Sequence, residues 1–356
     1  MMRKLGAIIA APLLLLSTSS FANFSPEEED APAILIVAVR DNRQLILGLG
    51  KTGSGVTPQA DSLIRINSLS KLFCAELLAQ MADAGQLKLS DPLQRYAPAP
   101  HASGEAPTLL QLATHTSGLP RTIDIEPPQN AAPHTWPDKV TRWQWLDRTD
   151  IANKSGSNAT YSNVAFDLLA DALENASGIS YDELLRERIT SPLDMRDTTL
   201  TPNAAQCARF IGNADAGPCV STGNNGGSGG LYSTASDMAK WMKHLLQTDG
   251  DSKHASIKLF ENRQIPRNSL HEVSGLDLAG QADGIGFGWV HLAASKNAPE
   301  IIQKTGGGGG FVNYIALMPA TRSGIFITID KLDVPMLQKA ALAVNQALVQ
   351  MSIDED

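Results

Sequence analysis

A long run of basic residues is missing from this chain. Lysine and arginine together number 29 against 37 aspartates and glutamates, for a formal net charge of −8. A protein that binds nucleic acid needs a basic surface to neutralise phosphates, so that class fits poorly. Cysteine is scarce, with Cys74, Cys207 and Cys219 the full set. No Cys/His cluster has zinc spacing and His-Glu-x-x-His does not occur, so neither a metal nor another cofactor is implied. No internal repeat is visible. After the N-terminal segment, no stretch is long and apolar enough to cross a bilayer.

That N-terminal segment, "MMRKLGAIIAAPLLLLSTSSFA", has two cations, an apolar core and Ser20-Phe21-Ala22 at its end. The order is that of a secretory leader, and residues 1–22 are expected to be removed. Pro12 and the shortness of the apolar run argue against a permanent anchor. Export to the periplasm follows as an expectation. Peripheral membrane association is left open, and nothing in the sequence points to it. An oxidising compartment permits disulfides. Cys207 and Cys219 bracket a short polar loop and are the expected pair, while Cys74 sits in an apolar helical pattern as a small buried hydrophobe.

The chain of 356 residues with 43% hydrophobic content has room for one large domain or two ordinary ones. "AILIVAV" and "QLILGLG" are β-branched runs joined by "RDNR", a hairpin pattern. "SKLFCAELLAQMADAG" is helical, with Phe73, Leu77 and Met81 on one face and a stop at Gly85. "SDPLQRYAP" begins with a cap residue and a proline suited to a first helical turn. Thr108 with Gln111, and Ser180 with Glu183, have capping-box spacing. "NVAFDLLADALENASG" is an apolar-periodic helix ending at Gly178. Residues 233–247 return to helix, "FVNYIALMP" and "GIFITID" read as strands, and a last helix presents Leu337, Ala341, Val344, Leu348 and Met351 on one face. Residues 118–160 carry Trp136, Trp143 and Trp145. They are either a loop packed by its own aromatics or one wall of a substrate groove.

Three short motifs carry chemistry. "NSLSKLF" places Ser68 and Lys71 three residues apart at the start of a helix, one turn from each other. A serine hydroxyl is a weak nucleophile without a neighbouring base, and a desolvated lysine can act as one. "ATYSNVAF" supplies Tyr161, able to pass a proton, and Asn163, able to hold an amide and orient the lysine. "QKTGGGGGF" brings Lys304, Thr305 and Gly306 onto a strand edge, where a lysine suits a carboxylate and glycine admits a close backbone approach. Lys-Thr-Gly also occurs at residues 51–53, within "GLGKTGSG". A phosphate loop there would need glycine where Leu45 stands, so that copy reads as the loop leaving the second strand.

Ser-x-x-Lys, Tyr-x-Asn and Lys-Thr-Gly in this order resemble the penicillin-recognising serine enzymes. Tyr-x-Asn as the middle motif resembles their class C β-lactamase branch. The stretches "LLQLATHTSGLPR", "GGLYSTASDMAKWM" and "GFGWV" are similar to the D-alanyl-D-alanine carboxypeptidase/endopeptidase members. The resemblance implies an α/β plus all-α architecture of the β-lactamase/transpeptidase type: an antiparallel sheet flanked by helices, with an inserted helical domain. The expected division is 23–67 with 220–356 for the α/β part and 68–219 for the insertion. It further implies Ser68 as the acylated nucleophile and Lys71 and Tyr161 as proton carriers. Asn163, Lys304, Thr305 and Gly306 would bind substrate, with the backbone N–H groups of Ser68 and Gly307 as oxyanion hole. Peptidoglycan muropeptides and β-lactams acting as covalent ligands are the implied partners. A class C β-lactamase and a penicillin- or muropeptide-binding sensor remain alternatives. His115, in "THTSGL", is expected to be structural, and the other six histidines to be solvated.

Overall fold

The stretch "ILIVAVR" forms strand β1 (Ile34–Arg40), and a two-residue turn with Asp41 at φ 52 returns it as β2 (Arg43–Leu49). In the computed structural model, the described residues are 32–98, 106–149, 156–247, 253–277 and 280–353. The expected leader lies outside them. The later strands are β3 (Ile265–Pro266), β4 (Gly284–Ile285), β5 (Val290–Leu292), β6 (Ile301–Gly308), β7 (Phe311–Met318) and β8 (Ser323–Ile329). Together they make an eight-stranded antiparallel sheet in the order β2-β1-β8-β7-β6-β5-β4-β3. The first two strands lie beside the last, so the two ends of the chain build one sheet.

Period-two alternation decides which residues face which side of it. Leu35, Val37 and Val39 point into one apolar cluster, while Ile34, Ile36 and Ala38 point into another. Both faces are covered, which is why β1 is apolar at every position rather than at alternate ones. The six main helices are α1 (Ser70–Asp83), α2 (Lys139–Leu146), α3 (Asn163–Ser177), α4 (Ala235–Leu246), α5 (Lys253–Glu261) and α6 (Val334–Ile353). Helix α6 lays Leu337, Ala341, Val344, Leu348 and Met351 on the outer face of the sheet. The inner face shares one continuous cluster with α1, α3 and α4.

Three local expectations need correction. Helix α1 does not bury one face only: residues 70–79 and Met81 are all buried, because the helix runs between sheet and surrounding helices. Residues Leu93–Tyr96 form a 3₁₀ turn instead of the start of an α-helix, with Pro92 extended before it. Ser180 accepts from the Glu183 N–H at 3.3 Å, but the reciprocal Glu183 bond is absent. The Thr108–Gln111 box is complete. Gly178 ends α3 in the left-handed conformation at φ 77.

Cys207 and Cys219 are joined by a disulfide, and Cys74 is buried and free. The bridge closes a short loop, so replacing both cysteines by serine should lower unfolding free energy by about 2–4 kcal/mol. Chemical denaturation of the oxidised protein and the double variant checks this; equal midpoints would show that the bridge contributes nothing. No described helix is long and apolar enough to cross a membrane.

Candidate active site

Strand residues Ile64–Arg65 pair with Tyr232–Ser233 and lead into a 3₁₀ turn, Asn67–Leu69, which carries Ser68 just ahead of α1. Ser68 therefore belongs to a tight turn feeding the helix, not to the α-helix itself. Asn67, immediately before it, sits at φ 49, a left-handed conformation that asparagine tolerates better than most residues. Two contacts hold it there. Its Nδ2 donates to the Phe311 carbonyl at 3.4 Å, and its Oδ1 lies 3.0 Å from His134 Nε2. Burial keeps His134 neutral, its pKa lowered to about 3. With Asn67 Nδ2 already a donor, the His134 proton must be on Nε2.

Lys71 is fully buried. Its Nζ lies 2.5 Å from the Ser228 carbonyl, 2.7 Å from Asn163 Oδ1 and 3.5 Å from Ser68 Oγ. Burial lowers its pKa to about 7, opposed by Asp167 and assisted by Arg121. A neutral amine has two N–H bonds. The two short contacts use both, which leaves the lone pair for the third direction, toward Ser68. Tyr161 Oη donates to Ser68 Oγ at 2.5 Å. Three basic side chains surround the Tyr161 ring, with Lys304 Nζ 4.6 Å, Arg121 Cζ 4.7 Å and Lys71 Nζ 4.8 Å from its centroid.

Tyr161 follows the short strand Asn158–Thr160, which pairs in parallel with Glu272–Ser274. Ser162 caps α3 by accepting from the Ala165 N–H at 3.0 Å, so Asn163 opens the helix. His115 lies beneath Tyr161, the ring centroids 4.7 Å apart. Its Nδ1 accepts from the Ser162 N–H at 3.1 Å, and burial holds its pKa well below 6.5. A neutral imidazole with its proton on Nε2 supports the tyrosine by packing, as a structural residue does.

Lys304 lies on β6, where β5 pairs only with residues 301–303. From Lys304 onward β6 has β7 on one side and, among the described residues, no strand on the other. Lys304 is 3% exposed, and burial lowers its pKa to about 8. The glycine run after Thr305 serves several purposes and is not one bare edge throughout. A Cβ at Gly306 would fall 2.9 Å from the Ile66 carbonyl and 3.3 Å from Ser68 N. Gly309 and Gly310, at φ 48 and 76, make the turn into β7. At Gly307 and Gly308 such a Cβ has no neighbour nearer than 3.7 Å, but Gly308 sits at φ 137, where a side chain is strained, so Gly307 is the position of the run open in both respects. The other Lys-Thr-Gly follows β2, at the far edge of the sheet.

The tryptophan-bearing segment divides. Trp143 and Trp145 are buried and donate to Asp171 and Asp124. Trp136 lines a cleft of about 630 Å³ that also takes in Ile125, His134, Asn163 and Ser228. A second hollow of about 500 Å³, between Asp182 and Gln206, contains none of the motif residues.

Several residues of this site escaped the sequence reading. Arg121 had no distinguishing context. Asp167 left a readable trace: it and Asp171 are acids one turn apart on an otherwise apolar helix, a pattern that marks partnered buried carboxylates. The expectation that six histidines are solvated is corrected. His134 supports Asn67, and His291 is fully buried with Nδ1 3.3 Å from Glu300.

An antiparallel sheet flanked by helices, with a serine, a lysine and a tyrosine meeting at its inner face, defines a serine hydrolase of the β-lactamase/transpeptidase class. The chain belongs to the Beta-lactamase family, whose model matches residues 22–348. It is 40% identical over 332 residues, 90% of this chain and 85% of the relative, to the D-alanyl-D-alanine-carboxypeptidase/endopeptidase AmpH of Escherichia coli. A solved β-lactamase/D-alanine carboxypeptidase from Yersinia pestis, complexed with citrate, superposes with a TM-score of 0.88 at 38% identity, covering 98% of this chain and all of that one. A class C β-lactamase from Rhodobacter sphaeroides shares the fold at a TM-score of 0.72 and 20% identity, covering 93% of this chain and 99% of its own.

Proposed function

We propose that this protein is a periplasmic serine D,D-carboxypeptidase and D,D-endopeptidase that cleaves peptidoglycan peptides beside a D-alanine and is acylated by β-lactams. The observation that carries the reading is the convergence on Ser68 Oγ of Tyr161 Oη at 2.5 Å and Lys71 Nζ at 3.5 Å. Ser68 Oγ attacks the scissile carbonyl carbon while its proton passes to the neutral Lys71 amine. The oxyanion so formed is held by the backbone N–H groups of Ser68 and Gly307. The carbon–nitrogen bond breaks as the leaving amine takes a proton through Tyr161 Oη. Water then opens the Ser68 ester by the same path in reverse, releasing the acid and restoring the serine. Asn163 holds the peptide amide, Lys304 and Thr305 hold the carboxylate of the leaving residue, and Gly306 lets the peptide backbone lie close. The free edge of β6 from residue 304 suits a peptide strand laid alongside it.

The two lysines set a pH window. Lys71 acts as a base once deprotonated, so acylation should rise as pH passes through about 7. Lys304 binds a carboxylate while protonated, so that contact should fail as pH passes through about 8. The expected kcat/KM profile for a pentapeptide substrate is bell-shaped between those limits. A rate that climbs steadily across the whole range would remove Lys304 from the carboxylate role.

Digestion of purified peptidoglycan, with mass spectrometry of the fragments, tests the function itself. Release of D-alanine from pentapeptide stems and cleavage of D-alanyl-diaminopimelate cross-links are expected, with slow nitrocefin turnover. Rapid nitrocefin hydrolysis with both peptide substrates untouched would make the protein a β-lactamase instead. Acylation by penicillin with no turnover of any substrate would make it a sensor.

A further inference from the structure

Helix α3 presents two acids, Asp167 and Asp171, on one face, one turn apart. Both reach the loop at residues 223–229. Asp171 takes a bidentate pair from Arg142, at 2.7 and 2.6 Å, and Arg142 Nη1 donates onward to the Asn224 carbonyl at 2.6 Å. Asp167 binds the loop directly. Its Oδ1 accepts from the Ser228 N–H at 2.9 Å, and its Oδ2 accepts from Ser228 Oγ at 2.9 Å and Asn225 Nδ2 at 3.1 Å. The loop lies hard against the helix, since a Cβ at Gly227 would fall 2.1 Å from the Phe166 carbonyl. The Ser228 carbonyl is the nearest acceptor to Lys71 Nζ, at 2.5 Å. A chain of short contacts thus runs from Asp167 through Ser228 to Lys71.

We propose that Asp167 is a positioning residue for Lys71: its carboxylate fixes the Ser228 backbone, and so the carbonyl that grips the amine, and it supplies the buried negative charge that Lys71 answers to. Asp167 is 3% exposed. Burial raises its pKa, opposed by Arg142, by the Asn225 and Ser228 hydrogen bonds and by Lys71. An amide N–H and an asparagine NH₂ can only donate, so the loop meets Asp167 as an acceptor on both oxygens, which favours the carboxylate. The titratable groups facing Lys71 come from several elements: Tyr161, His115 and His134 from the loops around the cleft, Arg121 beside them, Lys304 from β6, Cys74 on its own helix and Asp167 on α3. Asp167 is the acid of that set. The others are cationic, neutral or weakly acidic, so removing Asp167 leaves Lys71 among like charges and its neutral form is favoured at lower pH.

The proposal rests on Lys71 acting as the base, and the test separates the two ideas. Acylation by a fluorescent penicillin is followed across pH in the parent, Asp167→Asn and Lys71→Ala, with circular-dichroism melts to confirm folding. In Asp167→Asn the rising limb should move to lower pH by about one unit. The maximal rate should fall about tenfold as the Ser228 carbonyl loses its anchor. If Asp167→Asn lowers the rate equally at all pH values with the limb unmoved, Asp167 is only a packing residue and the proposal is wrong. If Lys71→Ala acylates as fast as the parent, the base assignment fails whatever Asp167 does. Should the asparagine variant not fold, Asp167→Ser leaves room for a water to meet the loop donors and removes the same charge, and the same displacement of the limb is required of it.

Discussion

Replacing Ser68 by alanine should abolish the penicillin adduct and reduce D-alanine release from a pentapeptide by about 10⁴-fold or more. The size of the effect follows from the lack of a substitute. Each other serine of the immediate neighbourhood is occupied. Ser70 Oγ donates to the Asn67 carbonyl at 2.7 Å and accepts from Leu231 N–H at 3.0 Å. Ser162 Oγ donates to the Pro120 carbonyl at 2.6 Å, and Ser228 Oγ to Asp167. Ser68 Oγ alone has both Tyr161 and Lys71 turned toward it. Alanine at this half-buried position removes one oxygen and leaves the turn intact, so the melting temperature should stay near that of the parent. Intact-mass spectrometry after incubation with penicillin reads the result directly. One adduct on the parent and none on the variant is expected, and a labelled alanine variant would move the nucleophile elsewhere.

How much of this was legible in the sequence depended on whether the signal was local. The continuous apolar run of β1 and the apolar stripe of α6 are set by single elements, and both appear as written. Ser68 and Lys71 are neighbours by helical geometry alone. Their meeting with Tyr161 and Lys304 is a long-range fact, reached through motif order and a family resemblance and not through spacing. What stayed hidden depends on packing from several sides. Helix α1 looked one-faced because the elements that cover its other faces come from distant segments. His134 gained its role by meeting Asn67, 67 residues away. The tryptophan segment could not be divided into packing and cleft residues until α2 and α3 were placed, since Asp171 on α3 is what draws Trp143 inward. The glycine run shows the limit most clearly, because five identical letters conceal a steric requirement, an open position and a turn.

That steric requirement gives the second large effect. Gly306→Ala should cut acylation by penicillin about 100-fold or more, the cost of displacing reacting atoms by a fraction of an ångström to one ångström. The backbone at Gly306 is not left-handed, so alanine meets no conformational penalty and only the space counts. Its methyl would lie 2.9 Å from both the Ile66 carbonyl oxygen and Leu69 Cδ1, and 3.3 Å from Ser68 N. The leucine methyl can swing aside. The Ile66 carbonyl cannot, because it accepts from the Leu69 N–H at 3.1 Å and so closes the turn that carries Ser68. Relief therefore requires β6 and the Ser68 turn to part, which separates the nucleophile and its N–H from the strand that holds Lys304 and Gly307. The associated loss of stability should be about 1–3 kcal/mol, as for other overpacked sites. Gly307→Ala is the steric comparison: with its nearest neighbour 3.7 Å away, its thermal stability should match that of the parent. Stopped-flow acylation and thermal melts of the two variants decide the matter. A Gly306→Ala protein that acylates at the parent rate would mean that the turn and the strand are not rigidly opposed, and that the glycine is there for the substrate alone.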